Sequence, residues 1–263
     1  MIGIIADVLS RSLLWVFALT CLVALARYLV VAGAAWRLLW QDDASRYMAK
    51  RLGVGKPPRA QVRREIAYSL LTCLMFPTSV FMAIALGELG LTRVYFYVEE
   101  FGWGYLVASV AMMVVLHDAL FYWTHRLLHT PWLMRHVHYV HHQSADPTPW
   151  AAFSFHPVEG FLQVFNIVII VMLIPAHPIA LSAFLLLNAV GNVFGHCGFE
   201  FFSAGFRQGP LGRLLNTPSV HAWHHRRYRH NYCLYFTVWD RLMGTWRPPG
   251  TVQEFQQQGD STQ

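Results

Sequence analysis

The sequence predicts an all-α integral membrane protein with about three transmembrane helices, a helical hairpin and a cytosolic cap rich in histidine. Two observations predict this class. Apolar residues make up 55% of the 263 residues and stand in long blocks, whereas charged residues make up only 13%, against roughly a quarter in a typical soluble domain. Fourteen histidines, many for so apolar a chain, are concentrated in short motifs between these blocks.

Three apolar blocks are each long enough to cross the ~30 Å hydrocarbon core of a bilayer at ~1.5 Å per residue. They run from about residue 12 to 36, from 66 to 89 and from 105 to 123. The first is longer than the core of a signal peptide, so we interpret it as a retained span. Pro77 in the second block predicts a kink that a membrane helix tolerates.

A fourth apolar block, residues 161–195, is too long for one helix and carries Pro175 and Pro178 near its centre. Prolines at this spacing predict two shorter helices joined by a tight turn. Each arm is short for a full crossing, which allows a hairpin that dips into the membrane and returns. Both ends of the block are then expected on the same side.

The charges of the loops predict the orientation. The loop of residues 37–65 carries eight basic residues, whereas the loop of residues 90–104 carries Arg93 with Glu99 and Glu100. The positive-inside rule therefore predicts a cytoplasmic first loop and an external second loop. All dense histidine motifs then emerge on the cytoplasmic face of a multi-pass protein, in a bacterial inner membrane or, in a eukaryote, the endoplasmic reticulum.

Three histidine motifs have helical spacing. His125 and His129 are four residues apart, which places them on one helical face. The other two motifs each contain a first histidine followed by histidines at i+3 and i+4; these are His138, His141 and His142, and His221, His224 and His225. Because the adjacent pair in each motif diverges by about 100°, its members can face two different centres.

The number of histidines favours two metal ions over one. Eight imidazoles exceed the six positions of an octahedral ion, and a reactive ion also needs an open position. Shared between two ions, eight or nine imidazoles give each ion four or five ligands. His196, at the end of the hairpin on the same side, is the candidate for the ninth ligand. Imidazole suits iron, zinc and copper.

Two polar residues are candidates for supporting the ligands. Asp118 is an acid at the end of a membrane helix, which is costly unless it is paired. It is expected to orient a ligating histidine or to pair with Arg126 or Arg135. His230 is expected to orient a ligating imidazole.

Four further histidines have mainly structural interpretations. His117 lies on the stripe of His125 but deeper in the membrane, and a hydrogen bond to a ligand or direct ligation is open to it. His156 precedes a proline and is expected to shape a turn or to contact the site. His177 at the hairpin tip and His136 off the His138 stripe are expected to be structural.

At these motifs the sequence resembles the fatty acid hydroxylase superfamily and, within it, the sterol desaturase family, most closely its sterol C5-desaturase-like members. The matching stretches are residues 118–129, 138–142, 155–163 and 217–246, and the resemblance covers roughly residues 66–247. Two features depart from the family pattern. Cys233 stands where glycine is usual, and only Asn192, four residues before His196, takes the place of a second HxxxH motif.

The resemblance implies a non-haem di-iron centre with molecular oxygen as co-substrate, in a cytosolic cap above a helical membrane stalk. Matched motif by motif, it assigns the metal ligands as His125, His129, His138, His141, His142, His221, His224 and His225, with His196 as the counterpart of a further family histidine. It divides the chain into an N-terminal span with a basic loop (residues 1–65), a catalytic domain (66–247) and a polar tail (248–263).

The expected function is O2-dependent desaturation or hydroxylation of an apolar lipid that is sterol-like, fatty acyl or another type. The chain lacks a dinucleotide-binding fingerprint and a cysteine quartet, so electrons are expected from a separate ferredoxin or cytochrome b5-like donor with its reductase. The basic face formed by Arg226, Arg227, Arg229 and Arg241 could bind an acidic donor or membrane lipids. The net charge of +6 forms no stripe typical of nucleic-acid binding.

Three other classes fit the pattern less well. A metal transporter needs polar groups across the membrane midplane, whereas these histidines gather at one end. A membrane haem protein needs few axial ligands and would leave most of the histidines without a role. A zinc-dependent membrane hydrolase usually places a glutamate beside its histidines, as in HExxH, and no such motif occurs in this sequence.

Overall fold

The computed structural model describes residues 2–41, 45–53 and 55–260, and within them it contains helices and isolated β-bridges. The long apolar helices are α1 (Ile2–Trp36), α3 (Arg59–Met75), α4 (Pro77–Glu88), α5 (Gly102–Leu128), α8 (Pro157–Leu173) and α9 (Pro178–Gly195), with the short α2 (Ser45–Met48) between the first two. The cap contains α6 (Pro131–Leu133), a π-helical turn (Met134–His138), α7 (Tyr139–His142), α10 (Ala204–Gln208), α11 (Pro210–Leu214), α12 (Pro218–Arg227), α13 (Val238–Leu242) and α14 (Val252–Asp260). The structure also has a π-helical turn after α1 (Arg37–Gln41) and 3₁₀ turns at Val98–Glu100 and Pro149–Phe153.

Four helical stretches are long and apolar enough to cross a membrane: Ser12–Trp40, Arg59–Glu88, Gly102–Leu128 and Pro178–Gly195. The first three are the predicted spans, and the fourth is one arm of the predicted hairpin. Side chains such as Trp15, Val30, Val107 and Val115 are exposed along these helices. Large apolar side chains in such number need lipid to cover them, so the all-α membrane class is confirmed.

The second and third spans differ from the prediction at their ends. The second begins at Arg59 rather than near residue 66. Pro77 divides it into α3 and α4, and Phe76 between them keeps helical backbone angles, so the span continues past the proline as predicted. The third continues through Leu128. This extra length carries His125 on the same rigid helix as the membrane-embedded residues.

The predicted hairpin is formed by α8 and α9, joined by residues 174–177. Pro178 is the first residue of α9, and the His177 side chain caps that helix by accepting a hydrogen bond from Ile179 N. The His177 Nε2–H donates to Phe96 O at 3.0 Å, and Ala176 N donates to Arg93 O at 2.9 Å. The hairpin tip therefore lies beside the loop between the second and third spans.

The opposite end of the bundle carries the cap. Tyr105, near the start of α5, donates to Pro175 O at the hairpin tip, whereas His125 lies twenty residues further along the same helix, about 30 Å away. The first basic loop also lies at the His125 end, since Leu52 N donates to Gly198 O and Arg226 donates to Leu52 O. The predicted gathering of the histidine motifs and the basic loop at one end is confirmed.

Two apolar clusters hold the bundle together. One packs α5 against the hairpin through Met113, Ile170 and Phe184, which are fully buried. The other joins α1 to the cap, where the Tyr28 hydroxyl donates to Trp150 O at 2.9 Å. These contacts fix the ends of α5 and α9, from which three of the nine candidate ligands project.

The predicted polar tail contains an ordered helix. Phe255 of α14 is fully buried against Leu52, Ala222 and Trp223, and its carbonyl accepts a hydrogen bond from Arg226. One apolar residue thus docks a mostly polar segment onto the cap beside α12. Residues 261–263 of this segment lie outside the described residues.

Candidate metal centre

The structure brings the nine candidate histidines together in two groups. In each group, one ring nitrogen from every histidine lies within 4.8 Å of the corresponding nitrogen of every other histidine in that group. The five-histidine group consists of His125, His129, His138, His142 and His224, and the four-histidine group of His141, His196, His221 and His225. Of the nine side chains, His129 is partly exposed and the other eight are buried.

Four chain segments supply these side chains. The last turn of α5 carries His125 and ends at His129, while the end of α9 presents His196 as its C-terminal cap. The segment from the π-helical turn into α7 and the helix α12 each carry a motif with histidines at i, i+3 and i+4. In each motif, the i and i+4 histidines share one group and the i+3 histidine joins the other.

The distances between nitrogens fit imidazoles that share an ion. His138 Nε2 lies 3.0 Å from His125 Nε2 and 3.1 Å from His142 Nε2. Two nitrogens each ~2.1 Å from one ion lie about 3.0 Å apart at a right angle and about 3.4 Å apart at a tetrahedral angle. The observed spacings therefore match the ligand set of a metal ion.

Hydrogen bonding alone does not account for these contacts. His196 Nε2 lies within 3.0–3.3 Å of the Nε2 atoms of His141, His221 and His225. A ring nitrogen carries either one proton or one lone pair, so it cannot satisfy three such neighbours. In the other group, the buried His224 Nε2 has no hydrogen-bond partner at all, and a metal ion would supply the missing interaction.

Three of the outward-facing ring nitrogens are anchored to backbone carbonyls. His125 Nδ1–H donates to Tyr232 O at 2.6 Å, His224 Nδ1–H to His230 O at 2.7 Å, and His225 Nδ1–H to Ser144 O at 3.0 Å. A carbonyl only accepts, so Nδ1 carries the proton in each of these rings. Each Nε2 lone pair is then free to face the centre of its group.

The cap histidines are held neutral. Burial, reinforced by repulsion from neighbouring histidines, lowers the pKa of His138, His141, His142, His221, His224 and His225 well below the ordinary value. Burial also lowers the pKa of His196 to about 4. Neutral imidazole is the form that binds metal, so these side chains are ready to ligate at neutral pH.

Asp118 makes different contacts from those predicted. Its carboxylate accepts hydrogen bonds from the backbone N–H groups of Tyr235, at 2.8 Å, and Phe236, at 3.2 Å. Two helical turns separate Asp118 from His125, which places the acid beside this loop and away from the imidazoles and the two predicted arginines. Asp118 therefore fixes the loop that follows Tyr232, whose carbonyl anchors His125.

His230 contacts the site through its backbone. Its carbonyl, not its imidazole, accepts the His224 proton. The remaining histidines lie outside both groups: His117 Nδ1 lies 3.2 Å from the Tyr235 hydroxyl, His156 caps α8 by accepting from Val158 N, and His136 bonds to Trp132 O.

Two carboxylates near the site were missed at the sequence level. Glu159 Oε1 lies 2.9 Å from His138 Nδ1, and both side chains are buried. Asp240 accepts from the backbone N–H groups of Tyr232 and Cys233, both at 2.9 Å. The sequence did contain a signal for Glu159, which is an acidic residue at the edge of a long apolar block. Such residues are costly in a membrane unless they are paired.

The unusual Cys233 is compatible with this loop. The positive φ values among non-glycine residues in the described chain belong to Tyr228 and Asn231, not to Cys233. The backbone at this position therefore does not require glycine.

A narrow cavity of about 10 Å³, which has room for about one water molecule, lies beneath both histidine groups. Phe121, on its wall, has its ring 5.1 Å from the His125 ring, and Phe155 has its ring 5.1 Å from the His141 ring. Most of the other lining residues come from α5, α8 and α9, so the cavity extends from the histidines toward the membrane-spanning part.

A separate open groove of about 510 Å³ reaches the site from the outer surface of the cap. It is lined by Tyr139, Tyr228, Tyr232, Arg135 and Arg229, together with His129 of the five-histidine group. The Tyr232 ring lies 4.9 Å from the His129 ring. The histidine site thus has an apolar approach on one side and a basic, aromatic approach on the other.

Comparisons with known proteins agree with this architecture. The profile of the fatty acid hydroxylase family matches residues 110–245, which include all nine histidines. The lathosterol oxidase of Rattus norvegicus is 34% identical over 199 residues, covering 73% of this chain and 64% of the relative. The Delta(7)-sterol 5(6)-desaturase ERG3B of Gibberella zeae is 32% identical over 190 residues, covering 72% of this chain and 57% of the relative.

The match thus spans less than two thirds of the length of these two relatives. The Delta(7)-sterol 5(6)-desaturase erg3C of Aspergillus fumigatus is 28% identical over 264 residues, covering 92% of this chain and 78% of the relative. No solved structure matches this chain significantly. With a family profile that covers more than half of its length and the whole histidine site, this chain belongs to the fatty acid hydroxylase family.

Proposed function

We propose that this protein is a membrane-bound non-haem di-iron oxidoreductase that desaturates or hydroxylates an apolar lipid with O2 and electrons from a separate donor. The observation that carries the proposal is the division of nine buried or half-buried histidines into two adjacent groups. Five and four nitrogen ligands suit two iron ions with positions left for oxygen. The fatty acid hydroxylase profile over this region supports the same chemistry.

The nine histidines would hold the two irons, and iron bound there would supply the redox chemistry with oxygen that imidazoles lack. The protein holds the ring orientations through Tyr232 O, His230 O and Ser144 O. Burial of eight of the nine side chains limits the access of water to the reacting region, and His129 faces the open groove. All nine histidines lie at one end of the bundle, which speaks against a transporter with ligands across the midplane.

The narrow internal cavity is our proposed substrate site, and its side chains would have to move apart to admit a lipid. Phe121 and Phe155 bring its apolar wall to both histidine groups, so a carbon chain or ring held there would lie next to the metals. Deeper in the wall, Asn188 donates to the Tyr235 hydroxyl, which also contacts His117. This polar network would suit a lipid that carries a hydroxyl group. The names of the relatives favour a sterol-like substrate over a fatty acyl chain.

An acidic electron donor is proposed to dock over the outer groove. Of the four arginines first considered for docking, Arg226 pairs with Asp146 at 2.5 Å and Arg241 donates to Arg213 O at 2.9 Å, so both are engaged within the chain. Arg227 and Arg229 remain exposed. Arg135 and Arg229 line the outer groove, and Arg227, Arg229 and Arg247 line a second groove beside it. A ferredoxin or cytochrome b5-like protein bound there would approach His129.

We further propose that this end of the bundle faces the cytoplasm. Basic residues of the 37–65 loop, among them Arg51, Arg59 and Arg63, share the end with the histidine cap, whereas Glu99 and Glu100 lie at the hairpin-tip end. This charge distribution agrees with the positive-inside rule. Cytoplasmic donors and their reductases would then reach the groove directly.

Reconstituted turnover tests the proposal. Anaerobically iron-loaded protein in lipid nanodiscs would receive a Δ7-sterol or fatty acyl lipids, a reductase–donor pair, NADPH and O2, and products would be identified by mass spectrometry. We expect loss of two hydrogens, or gain of one oxygen, on a sterol-like substrate only in the complete system. The His142→Ala variant is the matched control. A wild-type protein with two irons that oxidises none of these lipids would contradict the proposal.

A further inference from the structure

Glu159 introduces a difference between the two histidine groups. We propose that Glu159 is a positioning residue that acts through its hydrogen bond to His138 and makes the metal ion of the five-histidine group the more tightly held of the two. This inference rests on the proposed two-metal site. It assigns to one residue of the hairpin a role in setting the order in which the two ions bind.

The geometry places Glu159 directly behind one ligand. Its Oε1 accepts the His138 Nδ1 proton at 2.9 Å, and the exposed fractions of the two side chains are 2% and 1%. The second carboxylate oxygen, Oε2, is buried without a hydrogen-bond partner. A buried acid that makes one contact, to one histidine, has no other evident role in this part of the fold.

The start of α8 presents the carboxylate. Pro157 is the first residue of the helix and the His156 side chain caps it, so Glu159 stands in the first turn. The free N–H groups of a helix N-terminus carry partial positive charge, which favours a carboxylate at this position. Gly160 packs against Met75 and Thr72, which fixes this turn against α3.

The contact makes the two groups unequal. Among the described residues, Glu159 provides the carboxylate that touches a histidine of either group, whereas His125, His196, His224 and His225 donate to backbone carbonyls. In the four-histidine group, His141 Nδ1 and His221 Nδ1 have no partner. The contact with a carboxylate therefore belongs to one group and not to the other.

His138 is well placed to transmit this effect. Its Nε2 lies 3.0 Å from His125 Nε2 and 3.1 Å from His142 Nε2, near the middle of the five-histidine group. An imidazole that donates its other proton to a carboxylate is a more basic ligand. A divalent ion bound behind His138 would favour the ionised form of Glu159, and the resulting negative charge would lie closest to the ion of the five-histidine group.

Cobalt(II) titration of the metal-free protein tests this inference without reference to turnover. The d–d absorption of cobalt reports each binding step. We expect two steps of unequal affinity in the wild-type protein. Glu159→Gln keeps the size of the side chain and an oxygen acceptor but removes the charge, so it should weaken the tighter step by about 10- to 100-fold and leave the other step unchanged.

Glu200→Gln provides a matched control. Glu200 is also a buried carboxylate, and it holds the start of α12 by accepting from the Ser219 hydroxyl at 2.6 Å, but it contacts no candidate ligand. Its neutralisation should leave the ratio of the two affinities unchanged. Equal steps in the wild-type protein, or a Glu159→Gln titration identical to wild type, would overturn the inference.

Two outcomes separate this inference from the proposed function. A wild-type protein that binds fewer than two cobalt ions would contradict the two-metal site itself. A wild-type protein that binds two ions, with no effect of Glu159→Gln, would contradict only the role of Glu159. If Glu159→Gln fails to fold, ⁵⁷Fe Mössbauer spectra of the wild-type and Glu159→Asp proteins provide the test instead. We expect two distinct ferrous signals in the wild-type protein, one of which is altered by the shortened side chain. A single signal that is the same in both proteins would refute the asymmetry.

Discussion

His141 and His142 are consecutive residues, but their imidazoles belong to different histidine groups, with ring planes at 81° and ring centroids 5.6 Å apart. His224 and His225 repeat this arrangement at 86° and 6.0 Å. Successive residues on a helix diverge by about 100°, so two short helical segments each supply histidines to both groups. The two groups are therefore built as one unit.

Substitution of His141 or His142 allows the binding of each proposed ion to be weakened separately. His141→Ala removes a ligand from the four-histidine group, and His142→Ala removes one from the five-histidine group. We expect each variant to retain about one metal ion per chain and to lose at least ~100-fold in turnover, because both ions are needed. Elemental analysis and product formation would be measured on the same samples.

His177→Asn is the control for these variants. His177 lies at the hairpin tip, about 30 Å from the cap, and asparagine preserves the capping of α9. Its metal content and activity should stay close to wild type. Full metal content in both His141→Ala and His142→Ala would argue against ligation by these two residues.

The metal-free protein is expected to lose stability in acid. Burial holds the pKa of His196 at about 4 and that of His225 well below the ordinary value of 6.5. The unfolded chain therefore binds more protons than the folded one below pH 6.5, and stability falls as the pH drops toward 4 by about 1.4 kcal/mol per pH unit for each group. Thermal unfolding of chelator-treated protein in detergent, from pH 7.5 to 4.5, would measure the slope.

Bound metal should move this acid transition to lower pH, because protons must then compete with the ion for the same nitrogens. Parallel unfolding curves for metal-loaded protein provide the comparison. A thermal midpoint that is independent of pH in the metal-free protein would show that these histidines are not buried in the folded state.

Charge reversal beside the outer groove should weaken the binding of the electron donor. Arg229→Glu and Arg227→Glu are expected to raise the donor concentration for half-maximal turnover about tenfold and to flatten its dependence on salt. Arg59→Glu, an exposed charge on the basic loop, is the control. Steady-state kinetics against donor concentration would measure the effect, and an unchanged donor dependence in both groove variants would exclude this docking surface.

The C-terminal helix is expected to stabilise the cap. Phe255→Ala removes a fully buried ring beside α12 and should cost about 3 kcal/mol, a fall in thermal midpoint on the order of 10 °C. Gln257→Ala, at an exposed position of the same helix, should have little effect. Equal melting temperatures for the two variants would show that α14 does not support the cap.

The local spacing of residues in the sequence was sufficient to predict much of this structure. Pro175 and Pro178 predicted the hairpin, because prolines end helices. The i, i+3 and i+4 spacing of His221, His224 and His225 predicted a helix that faces two centres, and the two groups divide accordingly. These features depend on the geometry of a single helix, which the order of residues determines.

Features that depend on distant segments were not predictable. Glu159 reaches His138 across 21 residues, and Asp118 reaches Tyr235 across 117. Nothing in local spacing indicates such pairs. Arg226 looked like part of an open basic surface, but the fold places it against Asp146 and the Phe255 carbonyl. In each case, the packing of distant segments of the chain determines which residue is the partner.

The proposed function requires two iron ions per chain, held by the nine histidines. Protein expressed with ⁵⁷Fe and purified anaerobically would be analysed for iron per chain by Mössbauer spectroscopy together with elemental analysis. We expect two irons per chain, with a coupled di-iron signal after oxidation by O2. A maximum of one iron per chain after full loading, or two irons without magnetic coupling, would contradict the account.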